Sequence, residues 1–207
     1  MDIRQKSYHL LVATALLLPL SVCAKDKPSV VNIQQWQTSQ GTTVSFVELH
    51  EMPMVDVRVV FAAGSSFDGD KPGLASMVNA MMSEGTATMN ADQIAEAFDN
   101  VGSQYQNTVD RDFASVGFRS LSNAKYLQKT MTTFTDLLTH PNFAEKSFQR
   151  VKNQTLVGLQ YQQQVPTQIA SKALFKALYG NQPYGHPTYG DIASVTNMKR
   201  DTLATFY

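Results

Sequence analysis

The 207-residue chain has one cysteine, Cys23, and its 17 lysines and arginines are matched by 17 aspartates and glutamates. A lone cysteine excludes a disulfide framework and any paired-thiolate metal site. The absence of excess positive charge removes the electrostatic footprint of nucleic-acid binding, so no nucleic acid is expected among the partners. Histidine is also scarce. His50, His140 and His186 each stand alone beside a proline or a turn, as loop or cap histidines do, and no acidic residue lies between Lys146 and Gly190. What remains is 43% hydrophobic and 16% charged, with no internal repeat. That is a globular composition, long enough for one domain with a sizeable core or two small ones.

The first 24 residues read as a leader. Arg4 and Lys6 form a positive head, Leu10 to Leu20 an apolar core, and Val22-Cys23-Ala24 a cleavage signal. Cleavage after Ala24 would export the chain to the periplasm or beyond and leave it without any cysteine. The alternative is an uncleaved membrane anchor, against which the apolar run falls short of the roughly 20 residues of a bilayer span. Lipidation of Cys23 is disfavoured by the bulky Val22 beside it.

Downstream, Thr43 to Leu49 alternates as a strand, with Val44 and Phe46 or Val47 and Leu49 facing inward, while Trp36 sits in a polar frame before a turn at Gln40-Gly41-Thr42. Val55 to Ser65 reads as a central strand, apolar on both faces toward its end. After a turn at 68–73, Leu74, Met77, Val78, Met81 and Met82 form one apolar helical stripe. The Met77, Met81, Met82 and Met89 group could suggest a soft-metal surface, but its spacing is that of a buried helix face. Asn90 with Gln93 is a capping box for a second helix that Gly102 stops. Strands at 104–107 and 113–120 follow, joined by a solvated bend at Asp110-Arg111-Asp112. Helices are then expected at 123–138 and from Ala144 toward Gln164. A third, at 167–178, is expected to bury Ile169, Ala170, Ala173, Leu174 and Ala177, with short helical turns at 192–195 and 199–206. Between them lies a glycine-proline loop carrying Tyr179, Tyr184 and Tyr189, costly to order unless it packs against something. The order predicts an α+β domain, a largely antiparallel sheet covered on one face by helices.

The frame Gly73-Leu74-Ala75-Ser76-Met77-Val78-Asn79-Ala80 with Gly85-Thr86 resembles the pitrilysin/insulinase zinc metallopeptidases, peptidase family M16. Active members carry Gly-x-Ala-His-x-x-Glu-His here. The resemblance extends to the strand ending in Gly64-Ser65, to Leu137-Leu138-Thr139-His140-Pro141-Asn142-Phe143, and to Tyr179-Gly180-Asn181-Gln182-Pro183-Tyr184-Gly185, covering nearly all of the chain after the leader. On this register Ser76 and Ala80 stand at the two His positions and Asn79 at the Glu position. The third zinc ligand, a glutamate in active members, falls at or near Gly158.

A catalytic zinc needs three protein ligands and a nearby general base. The resemblance therefore implies a domain without catalytic residues at Ser76, Asn79, Ala80 and Gly158 and with no expected cofactor. Zinc would enter only if the chain were, alternatively, an active metalloendopeptidase. Ser76 and Asn79 are expected to satisfy local polarity, and Glu84 beside Ser76 lacks the base a nucleophilic serine requires. The resemblance further implies an insulinase-like N-terminal domain, residues 25–207, short of a full two-domain chain. Its partner would be a catalytically active family member, which handles the peptide substrates, with the Tyr179, Tyr184 and Tyr189 loop at the interface or peptide chamber. A truncated product without independent function is the remaining alternative.

Overall fold

The computed structural model describes residues 31–207; the expected leader, its cleavage point and Cys23 lie outside them. The chain divides into two compact units between Glu51 and Met52. In the first, β1 (Ile33–Gln37) pairs antiparallel with β2 (Thr43–Val47), Ile33 opposite Val47 and Gln37 opposite Thr43. Trp36 meets Phe46 edge-on at 6.4 Å between ring centroids. The polar frame around Trp36 is thus a strand, which its glutamines hid from an alternation test. The inward face expected of β2 is not formed: Phe46, Val47 and Leu49 are exposed and Val44 is half-buried.

The second unit is built on a three-stranded antiparallel sheet in the order β3 (Met54–Phe61), β5 (Ala114–Leu121), β4 (Gln104–Val109). The strand expected at the centre, β3, is an edge of this sheet, and β5 is the central strand. The pattern agrees: β3 alternates exposed and half-buried residues, whereas Ala114 to Phe118 are all buried. Gly117 permits the close pairing, because a Cβ there would lie 2.3 Å from the Val57 carbonyl oxygen.

The helices are α1 (Leu74–Met81), α2 (Ala91–Asp99), α3 (Ala124–Thr139), α4 (Glu145–Gln162), α5 (Pro166–Tyr179), α6 (Ile192–Asn197) and α7 (Arg200–Phe206). The Asn90–Gln93 capping box opens α2 as its spacing predicts. Two apolar clusters meet at α1. Leu74, Met77, Val78 and Met81 pack with Phe148, Val151 and Leu159 of α4, Val195 and Leu203. Met82 turns the other way, to Ile94, Phe98, Val116, Phe118, Phe134 and Leu137, with Met89 packed against them. The methionines are therefore core, as their spacing indicates.

One expected helix face is overturned. Ile169, Ala170, Ala173, Leu174 and Ala177 are all exposed, and α5 buries no residue fully. Its other side docks instead, through Tyr179, which stacks on Phe175 of the same helix at 5.8 Å and leans on Tyr184 of the following loop at 5.4 Å. Hydrophobic periodicity locates an apolar stripe but is blind to aromatic stacking on the opposite side.

Candidate functional site

The start of α1 is fixed by a carboxylate that local sequence patterns do not reveal. Asp68 accepts hydrogen bonds from the Gly73 N–H and the Ala75 N–H, both at 2.7 Å, and so caps the helix from seven residues away. Its side chain is fully buried, with His186 Nδ1 at 3.9 Å. Burial pushes the Asp68 carboxyl up to about 6, against the pull of the Ala75 and Gly73 N–H groups and of His186. Gly73 has φ of 91°, and a Cβ there would lie 2.8 Å from the Tyr189 carbonyl oxygen, so the aromatic loop closes directly on the helix start.

Arg111 ties the same loop to the β4–β5 bend. Its Nη1 donates to the carbonyl oxygens of Tyr184 (2.8 Å) and His186 (3.1 Å), and its guanidinium lies 3.9 Å from the centre of the Phe175 ring. The bend is thus not the solvated turn expected from Asp110-Arg111-Asp112, since Arg111 is half-buried and docked. Asp112 accepts a hydrogen bond from the Tyr184 hydroxyl. Tyr184 is consequently half-buried, while Tyr179 and Tyr189 keep 39% and 51% of their surface exposed.

The four positions that the metallopeptidase register singles out lie on α1 and α4, whose apolar faces share a core. Asn79 is buried: its Nδ2 donates to the Ser115 backbone carbonyl of β5 at 3.3 Å, and its backbone carbonyl accepts from Asn107 Nδ2 at 3.0 Å. It also lines a mainly apolar cavity of about 260 Å³ with Phe61, Val78, Met82 and Val116. Ser76 is half-buried and makes no side-chain hydrogen bond among the described residues, so of the two polar positions only Asn79 satisfies local polarity. Ala80 packs against the core, and Gly158 is exposed with open space where a side chain would project. Glu84 is paired with Arg150 rather than with Ser76.

These residues do not fit a zinc ion. Ala80 and Gly158 offer no donor atom, a serine hydroxyl is a poor zinc ligand, and the Asn79 amide, spent on a backbone carbonyl, is no base. Among the described residues no group of three or more His, Cys, Asp and Glu side chains could hold a metal. Each of the three histidines among the described residues has its own neighbour: His50 pairs with Glu48 on the surface, His140 caps α3 beside Asp136, and His186 lies by Asp68.

The family model described as Insulinase (Peptidase family M16) matches residues 43–192. Among curated proteins, the chain is 25% identical over 175 residues to the uncharacterized zinc protease YmxG of Bacillus subtilis, covering 84% of this chain and 42% of that protein. It is also 25% identical over 161 residues to the non-peptidase homolog YmxG of Helicobacter pylori, covering 77% and 37%. Among solved structures, the peptidase M16 inactive domain from Pseudomonas fluorescens superposes with a TM-score of 0.82 at 40% identity, over 84% of this chain and 42% of that one. The chain thus spans about two fifths of the length of these relatives.

Proposed function

We infer that this chain, which belongs to the insulinase family, peptidase family M16, is a non-catalytic member that helps to form a peptide-binding chamber with a catalytically active relative. The observation that carries the reading is α1 itself. Its cap, its apolar face and its glycine entry are intact, while Ser76, Asn79 and Ala80 stand where zinc chemistry would need two ligands and a base. A helix kept for packing without its chemistry suits a structural half of a chamber. The aromatic loop at Tyr179, Tyr184 and Tyr189 is the surface we assign to the partner or its peptide, because Tyr179 and Tyr189 remain exposed on a loop otherwise pinned by Arg111. The active partner would bind zinc and cleave peptides, and the leader would place this chain outside the cytoplasm. No helix among the described residues is long and apolar enough to cross a membrane.

Two measurements test this. Metal analysis of the purified chain should find no stoichiometric zinc; stoichiometric zinc abolished by substitution of Ser76 or Asn79 would overturn the non-catalytic reading. Co-expression with an intact His-x-x-Glu-His relative from the same genome should give co-purification, and two chains that migrate independently would remove the companion role.

A further inference from the structure

A second cavity, of about 160 Å³, lies between the β4–β5 bend, α5 and the loop after it, and Ser76, Asn79, Ala80 and Gly158 are not among its lining residues. Three basic side chains line it: Arg111, Lys172 and His186. Neutral donors join them from Gln162, Gln168, Ser171 and Thr188, and no carboxylate is among the lining residues. The acids near it lie outside the lining and are already engaged. Asp68 accepts from two backbone N–H groups and lies 3.9 Å from His186 Nδ1, Asp110 accepts from the Arg111 backbone N–H, and Asp112 accepts from Tyr184. The acid-free stretch between Lys146 and Gly190 supplies every lining residue except Arg111.

The donors are also unspent. Arg111 uses only Nη1 within the protein, which fixes the guanidinium on the Phe175 ring and leaves Nε and Nη2 without a protein acceptor among the described residues. That edge is the pair a carboxylate or phosphate takes in fork fashion. Lys172 is half-buried and has neither an ion pair nor a hydrogen bond among the described residues. Arg111 and Lys172 are half-buried around one cavity whose lining holds no carboxylate, and burying cations without a directly paired counter-charge is unfavourable unless an anion completes the site.

We propose that this cavity binds a compact oxyanion, a phosphate or a small carboxylate, between the Arg111 fork and the Lys172 ammonium. The volume admits one such group and excludes a nucleotide or a polymer. The site uses none of Ser76, Asn79, Ala80 and Gly158 and, of the three tyrosines assigned above to a partner, shares only Tyr189, along with the Arg111 anchor of their loop, so anion binding and partner binding can fail separately.

The test is titration of the full chain with inorganic phosphate and, separately, with succinate, at constant ionic strength and followed by NMR amide shifts and calorimetry. Saturable binding of at least one ion is expected, with shifts centred on Arg111, Ser171 and Thr188. Preference for phosphate would mark a phosphoryl ligand, and preference for succinate a carboxylate such as a peptide terminus. Lys172→Gln should weaken binding by about tenfold or more, as loss of one charge-assisted hydrogen bond does, and Lys125→Gln on exposed α3 should not. Arg111→Lys keeps the charge but loses the fork and should weaken binding comparably; Lys172→Gln keeps the test valid if that variant misfolds. Failure of both ions to saturate, or equal weakening by Lys125→Gln, would overturn the site.

Discussion

Asp68 is a residue whose value to the fold depends on pH in an unusual direction. A surface carboxylate that gains a partner has a lowered pKa and stabilises above it; Asp68 is raised from 3.8 to about 6 because burial outweighs its hydrogen bonds. The folded chain then binds more protons than the unfolded one between those values, so this group's contribution is fully present below about 4 and is lost as pH rises through 6. The loss amounts to about 3 kcal/mol on the scale of 1.36 kcal/mol per pKa unit. Denaturant titrations of the wild type and Asp68→Asn should show their stability difference falling from pH 4 to pH 6 and flat above 7; a difference that grows with pH would mean that the two N–H bonds outweigh burial. Asn79 makes a second residue-scale case. Restoring the family's acid with Asn79→Glu would remove the donor to Ser115 and set a carboxylate against that carbonyl, at a residue 7% exposed. We expect a loss of about 1–3 kcal/mol, the cost of an unsatisfied buried polar group, read as a lower urea midpoint with an unchanged m-value. Wild-type stability in that variant would show the side chain escaping to solvent.

Two helices that each carry an apolar stripe behave differently, and the contrast separates what was legible in the sequence from what was not. On α1, Leu74, Met77, Val78 and Met81 recur at helical spacing and all are buried, with Met81 at 0% exposure. Met81→Ala should therefore cost about 2–5 kcal/mol through lost transfer energy and the cavity left behind. On α5 the stripe is as regular, yet Leu174 keeps 56% of its surface. Leu174→Ala should stay within about 0.5 kcal/mol of wild type, and thermal unfolding of the two variants side by side would expose an error in either assignment. The capping box of α2 and the 3.6-residue period of α1 were readable because both are local. The central position of β5, the Asp68 cap and the docking of Arg111 onto Phe175 were not. Each joins residues far apart in the chain, and Arg111 between two aspartates has the local signature of a solvated turn. At the positions to which the family register points, Ser76, Asn79 and Ala80, the lack of zinc-ligating side chains was readable because, once that register is set, it depends on side-chain identity alone. The inward turn of Asn79 toward β5 needed coordinates.

At the scale of the whole molecule, the exposed apolar surface bears on how the chain exists in solution. Val157 and Tyr161 of α4 are 66% and 69% exposed, and on α5 Ile169, Leu174 and Leu178 are 50%, 56% and 66% exposed. Most monomers do not leave apolar side chains so concentrated on two consecutive helices, and such surface marks an interface or an aggregation liability. The charge balance offers no remedy, because a net charge of 0 provides no long-range repulsion between copies. Purified alone, the chain should self-associate as its concentration rises, and sedimentation velocity should resolve this as a growing weight-average coefficient. Replacing Leu174 and Leu178 together by serine should restore a monomer without lowering the unfolding midpoint, since neither side chain contributes to the core. Addition of an active family partner should suppress association of the wild type in the same way if the partner covers this surface. A chain that stays monomeric throughout would show that these two helices tolerate water as they stand, and the interface would then have to be sought at the aromatic loop alone.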